Sequence, residues 1–280
     1  MRNVKTNNDS MAKEMNGSCP KENKECENCN ELICPEEITS EDVNWINILH
    51  FHQPPFQDLD LVRKTTDECY LPVTKLLIER PHARTVVNIE GNILEILSEY
   101  IPNGQEVIKR LKTLYSRGQL EITGTGKYHP IFPLIPEKEV ERQLTLQEES
   151  LNDYLNIDKI PDILYLPELA YLPEQTKLYK EKGYQWVVID EISLKKKKSK
   201  IGRCQLKEKK SGINLLVRNR EISDALANSI WRTYDINNSE EFVEHAVNDS
   251  ISNGFIVTAL TVEDFDRQQT DLHTTSTITH

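Results

Sequence analysis

The chain has 280 residues and a net charge of −11, and these two figures exclude several classes of protein. The length is enough for one large domain with a sizeable core, or for two small ones. The acidic balance excludes nucleic acid as the main partner, because phosphates would be repelled on average. No apolar run approaches the ~20 residues that span a bilayer, and no apolar secretory signal precedes the chain, so we expect a cytoplasmic protein without membrane contact.

The two ends of the chain differ in composition from its middle. Residues 1–43 are polar and short of aromatic side chains, which predicts a disordered tail, and residues 267–280 are predicted to be unstructured as well. Four of the six cysteines lie in the first tail, namely Cys19, Cys26, Cys29 and Cys34. A Cys-x-x-Cys pair is a common chelate for zinc or an iron–sulfur cluster, but the outer spacings match no specific pattern. A metal site and a redox-labile tail therefore both remain open.

Residues 44–266 alternate short apolar runs with segments whose apolar residues recur at helical spacing, at 107–115, 140–154 and 242–251, and we expect them to form one domain. Seven runs rich in β-branched residues are predicted strands: 45–51, 83–89, 119–123, 162–166, 184–190, 212–218 and 254–260. Such runs are typical of a parallel sheet with right-handed crossovers. An open doubly wound sheet would fit the same pattern, but the distinctive residues follow many strands rather than one switch point. The sequence therefore predicts an α/β fold with a seven-stranded (β/α)7 barrel, closed or incomplete.

Polar side chains follow every predicted strand at the point where the strand ends. In parallel α/β folds the carboxyl ends of the strands form the pocket, so we expect these side chains to meet there. Each has a structural alternative: a glutamate before glycine can begin a helix, and an arginine-rich segment can be an ion-pair cluster. Seven polar strand ends that combine aromatic and amide groups with carboxylates indicate a sugar pocket. The residues are His50, His52, Gln53, Asn88, Glu90, Tyr128, His129, Glu168, Asp190, Glu191, Arg218, Arg220, Glu221, Asp224, Glu263, Asp264 and Asp266.

Four of these segments resemble the motifs of glycoside hydrolase family 57, whose members include α-amylases and 4-α-glucanotransferases. "HFHQPP" resembles its His-Gln-Pro motif, "GQLEITGTGKYHPIFPLIP" its second motif, "YLPELAY" its Trp-x-Pro-Glu-x-Ala-Tyr motif and "LLVRNREISD" a further recurrent segment. The resemblance covers residues 44–266 and implies an incomplete (β/α)7 barrel that cleaves or transfers α-glucans or oligosaccharides. It implies that Glu168 is the nucleophile of a retaining reaction and that neither a cofactor nor a metal takes part. The expected substrate-binding residues are His50, His52, Gln53, Glu90, Tyr128, His129, Asp190 and Arg220.

The end of the seventh strand departs from the family pattern. The family's general acid is an aspartate in Asp-Gly-Glu-x-Phe-Gly-His, whereas "TVEDFDR" places Thr261 at that position. A retaining glycosidase uses two carboxyl groups about 5–5.5 Å apart, and threonine cannot protonate an unactivated glycosidic oxygen. Either Glu263 or Asp264 supplies the acid, or this is a catalytically impaired glucan-binding or regulatory module. Family members also continue with further helices, so a chain truncated at its C-terminus is a related expectation.

A third interpretation is a metal-dependent deacetylase or mannosidase, because related incomplete barrels hold zinc with histidines and aspartates. His50, His52 and His129 could supply nitrogen ligands. The Asp-Asp and His-x-x-x-His patterns of those enzymes do not occur at these strand ends. The sequence thus favours a glucan-active enzyme, and it predicts neither linkage nor oligomeric state, since these depend on loops and surfaces.

Overall fold

The computed structural model describes residues 32–33, 44–194, 206–227 and 255–263. The cysteine cluster, Asp264 and the predicted C-terminal tail lie outside these ranges. Inside the segment expected to be disordered, Leu32–Ile33 forms a short strand. Within the described residues, no helix has both the length and the apolar character that crossing a membrane requires.

Strands and helices alternate along the described part of the chain. Its strands are β1 (Leu32–Ile33), β2 (Asn44–Phe51), β3 (Thr85–Ile89), β4 (Leu120–Ile122), β5 (Ile163–Tyr165), β6 (Trp186–Asp190), β7 (Leu206–Glu208), β8 (Asn214–Arg218) and β9 (Phe255–Thr261). Its α-helices are α1 (Leu59–Thr65), α2 (Leu71–Glu79), α3 (Gly91–Glu99), α4 (Gly104–Ser116), α5 (Glu137–Leu155), α6 (Thr176–Lys182) and α7 (Arg220–Ala227). A π-helical turn, Thr66–Tyr70, joins α1 to α2, and 3-10 turns cover Phe132–Leu134, Pro167–Leu169, Pro173–Gln175 and Glu191–Ser193.

All seven predicted strands are present, and their observed ends lie close to the predicted ones. They form two sheets, one in the order β4-β3-β2-β9 and one in the order β1-β7-β8-β6-β5. Every pairing among the seven is parallel, whereas β1 and β7 pair antiparallel at one edge. A parallel bridge between Gly124 and Leu164 links the end of β4 to β5. The predicted α/β fold with parallel strands is therefore confirmed. The two antiparallel strands, β1 and β7, were not predicted, because runs of two and three residues are too short to give a sequence pattern.

The helices pack by the apolar stripes that the sequence predicts. Val107, Ile108, Leu111 and Leu114 of α4 are buried in one core cluster with β3 and β4. Val140 and Leu144 of α5 lie in a second cluster with β5, β6 and β8. The stripe predicted for residues 242–251 lies outside the described ranges. Because residues i, i+3, i+4 and i+7 share one face of a helix, the stripes cover the sheets and leave the polar faces outside.

A third apolar cluster is shared by the two sheets. It contains residues of β2, β3, β5, β6, β8 and β9: Ile48, Val86, Tyr165, Val188, Leu216, Val257 and Ala259. The two sheets are therefore held together by a common core. Because the strands that supply it run parallel within each sheet, their carboxyl ends open together, and the polar residues that follow them can meet there.

Gly104, at the start of α4, permits a close approach to α3. A Cβ atom at this position would lie 2.0 Å from the backbone oxygen of Leu97, which cannot move as the tip of a side chain could. We expect Gly104→Ala to lower the free energy of unfolding by about 1–3 kcal/mol because of overpacking. Chemical denaturation checks this, with Lys109→Ala on the exposed face of the same helix as the control, expected within ~0.5 kcal/mol of the parent. Equal stability of the two variants would contradict the prediction.

Candidate functional site

The carboxyl ends of β2, β5, β6, β8 and β9 surround an open cavity of about 480 Å³. Its wall combines imidazoles, carboxylates and guanidinium groups with a few apolar side chains. The lining residues are His50, His52, His129, Tyr165, Glu168, Leu169, Ala170, Asp190, Ile192, Ser193, Arg218, Arg220, Ala259, Leu260 and Thr261. A volume of this size falls in the range of small-molecule sites, so this cavity is the candidate active site.

Glu168 follows β5 in a strained turn. Its backbone has φ 57° and ψ 17°, and Leu169 also has a positive φ, of 50°. For non-glycine residues this left-handed region costs of order 1–3 kcal/mol and is concentrated at functional sites. Pro167 is buried, whereas the Glu168 side chain lines the cavity with 65% of its surface exposed. The turn is a rigid support that places the Glu168 carboxylate at the cavity. Because this carboxylate is exposed, a substrate can reach it.

His129 connects Glu168 to the interior. Its Nε2 lies 3.2 Å from Glu168 Oε1, and its Nδ1 lies 2.5 Å from Glu90 Oε1. The His129 backbone also has a positive φ, of 55°, in the glycine-containing loop that follows β4. Because each ring nitrogen of His129 faces one of the two carboxylates, the ring fixes the orientation of Glu168 relative to the buried glutamate.

Glu90 is fully buried and lies beneath the cavity among three histidines. His52 Nδ1 lies 2.8 and 2.9 Å from its two oxygens, and His50 Nε2 lies 3.8 Å from Oε1. Burial alone would raise the pKa of Glu90, but the contacts with His129 and His52 bring it below its usual value. Burial opposes the charged form of His52 too, yet the hydrogen bond to Glu90 raises its pKa. The carboxylate is thus held ionised by its imidazole neighbours.

His50, by contrast, is held neutral. Its Nδ1–H donates to Asn88 Oδ1 at 2.6 Å, and the amide of Asn88 donates in turn to Thr123 Oγ1 at 2.7 Å. Burial lowers the pKa of His50 to about 4, although the charge of Glu90 opposes this. Its ring stacks on Tyr165 with a centroid separation of 5.1 Å. This packing and the Asn88 hydrogen bond fix the tautomer, so Nε2 carries a lone pair toward Glu90.

Arg218 organises the opposite wall of the cavity. Its two terminal nitrogens contact Asp190 at 3.0 Å and Asp224 at 2.6 Å, and Nε donates to the Ala259 carbonyl at 3.4 Å. Arg220 contacts the second oxygen of Asp224 at 3.4 Å. Asp190 also caps the 3-10 turn that follows β6, by accepting from the Ile192 N–H at 2.9 Å. The wall is therefore an ion-pair network that joins β6, β8, β9 and α7.

Glu263 follows β9 but is not among the lining residues of the cavity. Its Oε1 accepts hydrogen bonds from the Tyr70 hydroxyl, from the His52 backbone N–H at 3.2 Å and from Gln53 Nε2 at 3.4 Å. Burial raises its pKa to about 7 against these hydrogen bonds, and Oε2 is buried without a partner among the described residues. Sequence reasoning did not anticipate Tyr70, because it lies on the π-helical turn rather than at a strand end.

Thr261, which the sequence resemblance aligns with a general acid, lines the cavity. It is the last residue of β9 and pairs in register with His50 of β2. Among the described residues the only carboxylates on the cavity wall are Glu168 and Asp190, and Asp190 is committed to Arg218. The wall therefore has a threonine hydroxyl where the resemblance predicts a second acid.

The structure brings together six of the predicted substrate-binding and catalytic residues at the cavity: His50, His52, His129, Glu168, Asp190 and Arg220. It places four others elsewhere, one of which is Glu263, described above. Gln53 and Glu90 are buried behind the wall, and Tyr128 is 42% exposed beside Lys127, whose ammonium lies 5.5 Å from the ring centre. Arg218 has a larger role in the cavity wall than its position at a strand end indicates, because its guanidinium contacts two aspartates.

Four side chains near the cavity could hold a metal. Ligand atoms of His50, His52, Glu90 and His129 all lie within 4.8 Å of one another. Three imidazole nitrogens and a carboxylate oxygen form a donor set that suits zinc and neighbouring transition metals.

Comparison with known proteins gives a consistent result. A family model described as glycosyl hydrolase family 57 matches residues 23–274. An α-amylase from Pyrococcus furiosus is 29% identical over 149 residues, which are 53% of this chain and 22% of that protein. A 4-α-glucanotransferase from Thermococcus litoralis is 30% identical over 152 residues, which are 54% of this chain and 22% of that protein. The matched region thus spans about a fifth of the length of these relatives.

Solved structures share the fold. The 4-α-glucanotransferase from Thermococcus litoralis superposes with a TM-score of 0.67 at 21% identity, covering 84% of this chain and 37% of that one. A branching enzyme from Pyrococcus horikoshii gives a TM-score of 0.64 at 15% identity, covering 79% of this chain and 63% of that one. At these identities the likeness establishes the architecture alone.

Proposed function

Because the chain belongs to glycosyl hydrolase family 57, we propose that it acts on α-glucans by a retaining mechanism with Glu168 as nucleophile. The observation that carries the proposal is the Glu168 carboxylate on a strained turn, oriented by His129 and open to a cavity of about 480 Å³. In such a mechanism the nucleophile attacks the anomeric carbon and a covalent glycosyl intermediate forms. Hydrolysis results if water takes up the sugar, and transfer results if another glucan does.

The remaining cavity residues fit the binding of a sugar. His52 is partly exposed at the wall, and Arg220 and Asp190 stand on the opposite side, so hydroxyl groups have both donors and acceptors within one pocket. Tyr165 and the imidazole of His50, which stack on each other, also line the cavity. Gln53 and Glu90 support this wall from behind. The order of the seven parallel strands and the Gly124–Leu164 bridge favour an incomplete (β/α)7 barrel around the cavity.

Protonation of the leaving group is the slow step of this proposed reaction. Glu263, one of two candidate substitute acids, has a pKa raised to about 7, which suits an acid, but three donors hold it away from the cavity. Thr261 occupies the cavity wall instead. We therefore propose slow turnover of natural glucans and faster turnover of substrates whose leaving group needs no proton. An aryl α-maltoside with a nitrophenolate leaving group is such a substrate.

Replacement of Glu168 by glutamine tests the nucleophile. We expect Glu168→Gln to abolish nitrophenolate release while binding of maltooligosaccharide, measured by calorimetry, persists, because the amide keeps the shape but cannot attack. Glu174→Gln is the matched control, since Glu174 is an exposed glutamate outside the cavity in the next 3-10 turn. Equal activity of Glu168→Gln and the parent would end the proposal.

A glucan-binding or regulatory module is the second candidate function. The threonine at position 261 favours it, since losing an acid–base catalyst typically removes ~10²–10⁴ in rate. Calorimetry that shows oligosaccharide binding while the parent releases no product from either type of substrate would support this candidate. Absence of binding at any concentration would count against both.

A further inference from the structure

The buried carboxylate of Glu90 has an unusual set of neighbours. The ion pairs that the described residues give it are all with histidines, at 2.5 Å from His129, 2.8 Å from His52 and 3.8 Å from His50. The three nitrogens and the oxygen converge within 4.8 Å. A fully buried carboxylate needs a cation nearby, so the question is what supplies the positive charge.

The hydrogen bonds of His50 show that its second nitrogen is not a donor to Glu90. Asn88 Oδ1 receives the Nδ1–H, because the Asn88 amide is used on Thr123. A neutral imidazole that donates from Nδ1 carries a lone pair on Nε2, and this lone pair lies 3.8 Å from a carboxylate oxygen. Two electron-rich atoms that face each other in a buried site are stabilised by a cation between them.

His129 repeats the same arrangement. A neutral His129 that donates from Nε2 to Glu168 has its lone pair on Nδ1, 2.5 Å from Glu90 Oε1, and a metal ion can replace the proton that otherwise bridges these two atoms. The His129 side chain is 8% exposed, and among the described residues its buried Nδ1 has the ion-pair contact with Glu90 but no well-oriented hydrogen bond. Ligating imidazoles characteristically use their other nitrogen on a polar partner, as His50 does with Asn88 and His129 does with Glu168.

We propose that His50 Nε2, His52 Nδ1, His129 Nδ1 and a Glu90 oxygen bind one divalent transition-metal ion, with zinc as the best match. Zinc takes four such ligands tetrahedrally at about 2.0–2.2 Å, which places the ligand atoms roughly 3–4 Å apart. The present separations require the carboxylate and the imidazoles to shift by about 1 Å or less to meet this geometry. The ion would balance Glu90 and fix His129 beneath the cavity.

Zinc content of the full-length chain tests the proposal. The four cysteines Cys19, Cys26, Cys29 and Cys34 are replaced by serine, so that thiolates of that segment do not bind the metal. After exposure to zinc and dialysis, elemental analysis is expected to give about one zinc per chain, and calorimetry gives the affinity. His52→Ala should weaken binding by about 100-fold or more, and Asn88→Leu by about 10–100-fold. His82→Ala removes an exposed histidine as the control and should leave the affinity unchanged.

Zinc at background level in the parent would overturn the proposal and show that protons on the histidines balance Glu90. Equal zinc affinity of His52→Ala and the parent would overturn it too. His52 is chosen because its side chain is partly exposed, and circular dichroism confirms that the variant is folded. The outcome is separate from the proposed glucan activity, since zinc binding is measured without substrate.

Discussion

Thr261→Asp is expected to increase kcat/KM on maltooligosaccharides by about 10²–10⁴, the usual contribution of a positioned general acid. The substitution gives the cavity wall the aspartate that the proposed alignment with the family motif has at this position. It is expected to change the rate on a nitrophenyl maltoside little, because that leaving group departs without a proton. Steady-state kinetics on the two substrates therefore separate restored acid catalysis from a general improvement in folding or binding.

The geometry around Thr261 supports this expectation. The residue ends β9, lines the cavity and pairs in register with His50, so a carboxylate here would stand on the same rim as Glu168. An aspartate there would face the partly apolar surroundings of Ala259 and Leu260, which also line the wall. Partial burial raises the pKa of a carboxyl group, which is what a general acid needs near neutral pH.

Thr261→Asn is the matched control, because asparagine has the size of aspartate but no acidic proton to transfer to a leaving group. It should leave the rate on maltooligosaccharides at the level of the parent. The alternative, in which Glu263 supplies the proton, predicts the reverse pattern. In that case Thr261→Asp would have no effect and Glu263→Gln would lower the rate on maltooligosaccharides by about 10²–10⁴.

The sequence could predict the strands and the general position of the site because both depend on local patterns. Apolar β-branched runs identified all seven parallel strands, and the rule that side chains gather at strand ends brought His50, His129 and Glu168 together correctly. All five residues of β3 are buried, so the strand appears in the sequence as a largely apolar run without alternation of polar and apolar residues.

The remaining features depend on contacts between distant segments. Tyr70 donates to Glu263 across 193 positions, and Arg218 donates to Asp190 and Asp224, which lie on two other elements. Nothing in the local pattern distinguishes Arg218 from Arg220, two residues later, yet only the first is largely buried. The left-handed backbone at Glu168 was also hidden, because the sequence places no glycine or asparagine there.

The sequence does not show which of the predicted sugar-binding residues line the cavity, because the spacing of residues does not reveal which side chains are buried. Glu90 and Gln53 follow their strands as His52 does, but their side chains turn inward and support the wall rather than line it. The alternation of side chains along a strand stops where the strand ends, so residue spacing does not tell which of the following side chains face the pocket. This is why a list of strand-end residues overestimates the set that touches a ligand.

Arg218→Met is expected to destabilise the protein by about 3–5 kcal/mol, the usual result of removing one partner from a buried ion pair. The side chains of Arg218 and Asp190 are 14% and 13% exposed, so the aspartate would be left with little solvent and without its cation. The loss also removes the hydrogen bond to the Ala259 carbonyl, which crosses from β8 to β9 between the two sheets. At about 2–4 °C per kcal/mol, the melting temperature should fall by roughly 10 °C.

Calorimetric melting of Arg142→Met gives the control, because Arg142 pairs with Glu139 at 2.9 Å but is 59% exposed on α5. An exposed pair of this kind contributes about 0–1 kcal/mol, so Arg142→Met should melt within a few degrees of the parent. A similar small shift for Arg218→Met would show that the network is solvated and that Arg218 does not join the sheets. A large loss for Arg218→Met together with recovery in Arg218→Lys would instead show that charge is the decisive property. We expect only partial recovery, since a lysine cannot reach Asp190, Asp224 and the Ala259 carbonyl at once with the planar fork of an arginine.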